Sequence, residues 1–252
     1  MSSFPLITAH TGSMGYPDHS FESLQASLAL GIDIYEDDIR ITRDGIPVLA
    51  HDDGIELGDG RQGSLEKLSL NEVHAMSLTP FPTLQEMLVH IRKAGNIMNL
   101  DIKTDRALEP VSALIEQMNM KEHVFLSGCA YDTALKAGKY APEIRRLLNV
   151  NLQHLERLNY ADAIIQMCEE AKHADCFGLN LPFQVVREQL IDIVKSNGLD
   201  IYVWTVMDVE DMRTLAGWGV DSITTRNPLK LTTLREEMKR AEEKQVEPKA
   251  KL

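Results

Sequence analysis

The feature that most constrains this chain is a rhythm: eight short apolar runs, each followed by a stretch with helical spacing. The runs cover residues 6–10, 33–39, 97–103, 123–129, 144–151, 176–182, 199–206 and 220–225. They are continuous rather than strictly alternating, which is the pattern of strands covered on both faces, as in parallel sheets. Between them, Leu84, Met87, Leu88 and Ile91 share one helical face, as do Ala161, Ile164, Ile165 and Cys168, and Val186, Leu190, Ile193 and Val194 form a similar stripe. Thr83 followed by Glu86 predicts a capping box, and Gly95, Gly198 and Gly219 stand where helices end. Eight β-then-α units in 252 residues have the size of a (β/α)8 TIM barrel. An open, doubly wound sheet shares the alternation and is the rival architecture.

Two segments depart from the rhythm. Residues 44–81, an insertion between the second and third strands, are dense in Gly and Asp and predict turns. The barrel is expected over 1–230, with 231–252 a last helix running into a charged, solvated tail.

A net charge of −12 argues against nucleic acid as a partner, because the phosphate track wants a positive field. It leaves a small phosphate substrate open, since a bound cation can set the local charge. No apolar run reaches the roughly 18 residues of a membrane span. The start of the chain lacks a signal-peptide pattern, and the three cysteines, Cys129, Cys168 and Cys176, make no Cys-x-x-Cys pair. A cytoplasmic protein with free buried thiols is expected. The oligomeric state is left open.

In a parallel barrel the chemistry gathers at the C-terminal ends of the strands. His10 closes the first run. Glu36 and Asp38 lie two apart on the second and therefore face the same way; Asp101 and Lys103 repeat that spacing on the third. His51 and Asp52 follow the apolar run PVLA. Three carboxylates converging at one mouth repel each other unless paired, and a hard divalent cation with oxygen ligands, Mg2+ or Ca2+, relieves that. Without sulphur ligands zinc is less natural. Ion-paired rim carboxylates near Lys103 and Arg40 are the bland alternative. His10 and His51 suit acid–base work, because an unperturbed imidazole titrates near pH 6.5. His74, His90, His123, His154 and His173 show no motif, and His19 is intermediate, in the loop after the first strand.

Several stretches carry a resemblance: AHTG (9–12), PDHS (17–20), GIDIYEDDIRITRDGIPVLAHD (31–52), FPTLQEML (81–88), NLDIK (99–103), VWTV (203–206) and GVDSITTRNP (219–228). In this order they are similar to the glycerophosphodiester phosphodiesterases, across nearly the whole chain. The resemblance implies a TIM barrel, one divalent cation and two catalytic histidines. It matches His10 and His51 to the histidine pair, Glu36, Asp38 and Asp101 to the metal ligands, Lys103 to a lysine at the phosphate, and Trp204 to an aromatic of the substrate pocket. It further implies that one histidine deprotonates a glycerol hydroxyl, which attacks phosphorus. The other protonates the leaving alcohol, and water then opens the cyclic phosphate.

Several positions depart from the family pattern. The arginine after the first histidine is Thr11, a neutral hydroxyl. Pro-Glu-Asn/His-Thr is Pro17-Asp18-His19-Ser20, Met207 replaces an asparagine, and Arg226 replaces an aspartate. Asp101 stands where the family usually has Glu, a feature shared with the related sphingomyelinase D group, and the loop after His51 is short for the family's inserted segment. Arg40, just beyond the Glu-x-Asp pair, either reaches the phosphate or makes a rim ion pair. Three readings follow: hydrolysis of a glycerophosphodiester, the same chemistry on a lysophospholipid, sphingolipid-type or sugar phosphodiester, and a silent barrel that binds a phosphorylated ligand.

Overall fold

The structure, a computed structural model, describes residues 4–78 and 81–246; the end of the expected charged tail and the first three residues lie outside them. The eight apolar runs all form strands. In chain order the strands are β1 (Leu6–His10), β2 (Ile34–Ile41), β3 (Pro47–Leu49), β4 (Gly54–Glu56), β5 (Gln62–Ser64), β6 (Ile97–Ile102), β7 (Val124–Ser127), β8 (Leu147–Asn149), β9 (Gly178–Pro182), β10 (Asp200–Trp204) and β11 (Ser222–Thr225). Eight of them run parallel in the order β7-β6-β2-β1-β11-β10-β9-β8. A parallel bridge between Leu126 and Arg146 joins the two ends, and the Leu126 N–H donates to Arg145 O at 2.9 Å. The sheet therefore curls into an α/β TIM barrel rather than staying open.

The helices are α1 (Phe21–Ala29), α2 (Leu70–Met76), α3 (Leu84–Ala94), α4 (Leu108–Met118), α5 (Tyr131–Tyr140), α6 (Gln153–Arg157), α7 (Tyr160–His173), α8 (Glu188–Ser196), α9 (Val209–Trp218) and α10 (Pro228–Val246). α3 follows its sequence pattern: the predicted Leu84–Ile91 stripe is fully buried, Thr83 and Glu86 close a reciprocal capping box, and Gly95 ends the helix in the left-handed region. α7 is rotated from the expected stripe. Ile164, Met167, Cys168 and Ala171 face the core, whereas Ile165 is exposed. Both faces begin at an apolar residue, so periodicity alone does not choose between them. In α8 the buried face is Leu190, Ile191 and Val194, and Val186 lies before the helix begins. α10 packs Leu231 and Leu234 into the core.

The insertion is more ordered than its turn-rich composition predicts. β3 pairs antiparallel with the end of β2, β4 and β5 form a hairpin, and α2 follows. These pieces share a small core of Val48, Ala50, Ile55, Leu57, Leu65 and Val73, separate from that of the barrel. Below the mouth, Phe125, Phe177 and Tyr202 meet edge-on at 5.5–5.6 Å between ring centres, with the Arg145 guanidinium over Phe177. Edge-to-face rings are a favourable packing of aromatic quadrupoles. They stack the lower barrel with apolar volume and leave the polar residues at the upper end.

Candidate active site

Strand register assembles the site. Side chains alternate across a strand, so residues opposite one another on neighbouring parallel strands share a face. His10 lies opposite Glu36 and Glu36 opposite Asn99; one layer higher, Asp38 lies opposite Asp101 and Asp101 opposite Ser127. On the far side, Asn149 lies opposite Asn180 and Asn180 opposite Tyr202. The result is a cavity of about 420 Å³ to which all eight barrel strands contribute: His10, Glu36, Asp38, Asn99, Asp101, Ser127, Asn149, Asn180, Trp204 and Thr224, with Lys103 and His51 at its edge. A more open groove on the outer helical layer, beside Tyr131, Ile165 and His173, lies away from this cluster.

Glu36 and Asp38 are buried and Asp101 nearly so. One oxygen from each lies within 4.8 Å of the others. Lys103 Nζ stands 2.8 Å from Asp38 Oδ1 and 2.9 Å from Asp101 Oδ1. Burial works against its charge, but Asp101 and Asp38 outweigh that and hold the ammonium protonated above its ordinary range. One cation does not balance three carboxylates. Burial, with repulsion from Asp38 and Asp101, raises the Glu36 carboxyl well above the usual range, and Lys103 only partly offsets this. Burial likewise raises Asp101, with Lys103 opposing it. Among the described residues Glu36 Oε2 is buried without a hydrogen-bond partner; His10 Nε2 is 3.7 Å away, too far to bond. An all-oxygen set with a surplus negative charge and an orphaned carboxylate oxygen fits a hard divalent cation.

The two histidines are held differently. His10 Nδ1 donates to the Thr11 carbonyl at 2.8 Å, which leaves the Nε2 lone pair toward the cavity. His51 Nδ1 meets Asp52 Oδ1 at 2.9 Å, and both side chains are well exposed.

Thr11 and Arg40 are not among the residues lining the cavity. Thr11 is buried, and its hydroxyl accepts the His19 N–H at 2.7 Å. Arg40 Nε donates to the His51 carbonyl at 3.0 Å. Two of the departures from the family pattern meet each other: Arg226 pairs with Asp18 at 3.1 Å, over Gly12. Gly12 has φ of 69°, a left-handed conformation that side-chain-bearing residues rarely adopt, which favours glycine at this position.

Sequence reasoning passed over several residues. Asn99 sits two before Asp101 and so shares its face, a signal the period-two rule contains. Asn149 closes β8 and Asn180 lies at the middle of β9, and Asn180 Nδ2 donates to Asn149 Oδ1 at 2.9 Å. Asp37 points away from its two neighbours yet is fully buried, with Oδ1 at 2.5 Å from His19 Nδ1. Burial raises the Asp37 carboxyl, opposed by His19. For His19 burial acts against the charge, and the Asp37 hydrogen bond and charge raise its pKa. Nothing in the local sequence distinguishes this aspartate from an exposed one.

Fold and site together define a class: a parallel α/β barrel with an acidic, histidine-flanked centre at its mouth. A sequence profile of the glycerophosphoryl diester phosphodiesterase family matches residues 10–230. The chain belongs to that family, whose members are phosphoric diester hydrolases. It is 24% identical to a glycerophosphodiester phosphodiesterase of Caldanaerobacter subterraneus subsp. tengcongensis over 91% of this chain and 97% of that one. Among solved structures, a glycerophosphodiester phosphodiesterase from Agrobacterium tumefaciens superimposes with a TM-score of 0.73 at 20% identity, covering 91% of this chain and 99% of the other. A phosphodiesterase of Oleispira antarctica, solved with its product sn-glycerol-3-phosphate, does so with a TM-score of 0.75 at 25% identity over 92% and 97% of the two chains. Among the described residues no helix is long and apolar enough to cross a membrane.

Proposed function

We propose that the chain hydrolyses glycerophosphodiesters to an alcohol and glycerol phosphate, using a divalent cation, Mg2+ or Ca2+, held by Glu36, Asp38 and Asp101. The observation that carries this reading is the orphaned, buried Glu36 oxygen within reach of two further carboxylates, with the imidazoles of His10 and His51 lining the same cavity. When bound, such a cation supplies charge neutralisation at the phosphate oxygens, a contribution that preorganised electrostatics makes large. Lys103 adds a fixed positive charge beside it.

His10 acts as the base. Its Nδ1 is committed to a carbonyl, so Nε2 takes the proton from the glycerol 2-hydroxyl as that oxygen bonds to phosphorus. His51 acts as the acid. Its Nδ1 meets Asp52 Oδ1, and from Nε2 it protonates the alcohol oxygen as the phosphorus–alcohol bond breaks. Water then opens the cyclic phosphate with the two roles reversed. Trp204, about one-third exposed at 37%, offers a ring face to the substrate at the rim.

The test is alcohol release from a panel of glycerophosphodiesters by purified protein with Mg2+ or Ca2+, and again with chelator. The proposal expects cation-dependent release, lost in His10→Ala; an untouched panel overturns it. A second reading, the same reaction on a lysophospholipid, draws support from the exposed Trp204 and Met207 beyond β10. Mass-spectrometric detection of the released alcohol separates the two substrates. The net charge of −12 favours a small molecule over nucleic acid in either case, and three unpaired, buried cysteines suit a reducing, cytoplasmic setting.

A further inference from the structure

His51 raises a physical problem. A group that must deliver a proton to one oxygen has to be held still, yet its side chain is 64% exposed and its ring partner, Asp52, is 81% exposed. An ion pair so open to water orients little. The order must come from the backbone, and both polar groups of the His51 residue are engaged there. Its N–H donates to His19 Nε2 at 3.2 Å, and its carbonyl accepts from Arg40 Nε at 3.0 Å.

We propose that His19 and Arg40 are positioning residues that clamp the His51 backbone and thereby aim its imidazole at the leaving alcohol. This rests on the assignment of His51 as the acid.

The clamp is itself anchored from inside the barrel. A backbone N–H can only donate, so His19 Nε2 carries the lone pair and the ring proton sits on Nδ1, facing Asp37. Asp37 Oδ1 also accepts the Asp38 N–H at 2.9 Å, which locks the carboxylate to the same strand that carries Glu36 and Asp38. His19 adopts a left-handed backbone, with φ of 57°, uncommon for a residue with a side chain. The Thr11 hydroxyl holds it there by accepting its N–H at 2.7 Å. A chain of contacts therefore runs from β1 through Thr11 and His19 to His51, with Asp37 of β2 as its buried post. It gives Thr11 a task that a neutral hydroxyl performs and a long cation does not: accepting a backbone N–H in a fully buried place.

The experiment compares two glycerophosphodiesters in single turnovers, one releasing an alkyl alcohol and one releasing p-nitrophenol. The alkoxide needs an acid to leave; the nitrophenolate does not. His51→Ala calibrates the assay and is expected to slow alkyl release far more than nitrophenol release. His19→Ala and Arg40→Ala should each reproduce that selective loss, about 10–100-fold on the alkyl ester, as is typical when the outer hydrogen-bond partner of a metal-ligating residue is lost. KM, measured separately under multiple turnover, should stay within about twofold, since the clamp touches no substrate. His19→Gln, which can place an amide oxygen where Nε2 stood, should recover most of the alkyl rate. If His19→Ala does not fold, Arg40→Ala, on a half-exposed side chain, decides the matter. Equal losses on both esters, or no loss on either, overturn the clamp. If His51→Ala itself slows both esters alike, the acid assignment fails instead.

Discussion

At the residue scale, Gly128 shows how tightly the centre is built. It has φ of 71°, and a Cβ there would lie 2.3 Å from Asp101 Oδ1 and under 3 Å from the Ile102 backbone. Gly128→Ala is expected to cost about 1–3 kcal/mol through strain and overpacking, and to weaken cation binding by pushing Asp101 aside. Thermal unfolding and calorimetric titration with Mg2+ or Ca2+ check the two effects; an unchanged Tm and affinity would refute the close-packing account. Lys103→Met removes the ammonium between Asp38 and Asp101, which should lower the melting temperature of the cation-free protein and make it rise more steeply when cation is added. Of the site, the residues named by spacing are those whose chemistry matches their position: Glu36 and Asp38 two apart on a strand, His10 at a strand end. Asp37 and Thr11 were not legible in the same way. Their roles depend on which loop folds over them, and that is decided by contacts eight and eighteen residues distant in the chain.

The strands were legible at the element scale because each is a short apolar run buried on both faces. α3 was legible because stripe, cap and terminal glycine agree. Its capping box gives a prediction that separates stability from chemistry. Thr83→Ala should cost about 1 kcal/mol, the usual worth of such a cap. Activity at a temperature well below unfolding should be unchanged, because neither Thr83 nor Glu86 lines the cavity; a fall in kcat would place α3 closer to the chemistry than the structure does. α7 was misread by one step because Ile164 and Ile165 offer two equally apolar faces. The insertion was underread because three-residue strands such as Pro47–Leu49 carry no period, and their order comes from pairing with β2 and from the separate core behind them.

For the whole molecule, the closed barrel brings carboxylates together at some electrostatic expense, and that has a pH signature. The Glu36 pKa is raised well above its ordinary 4.5 in the folded chain by burial and by Asp38 and Asp101. The folded state therefore keeps a proton that the unfolded state releases, so stability is full below pH 4.5 and is lost as pH climbs toward the raised value. Without cation, the Tm of the wild type should fall relative to Glu36→Gln as pH rises from that point. Added Mg2+ or Ca2+ should close the gap in the wild type only. Parallel melting curves that differ by a constant at every pH would remove Glu36 from the account.

The central claim is that this acidic centre, loaded with a cation, cleaves a glycerophosphodiester. Phosphorus NMR of glycerophosphocholine, followed with wild type and Glu36→Gln in the presence of Mg2+ or Ca2+ and then of chelator, tests it in one series. The account predicts a glycerol phosphate signal that grows only with wild type and cation, with a cyclic phosphate preceding it. Conversion that persists with chelator, or that Glu36→Gln supports equally well, would contradict it.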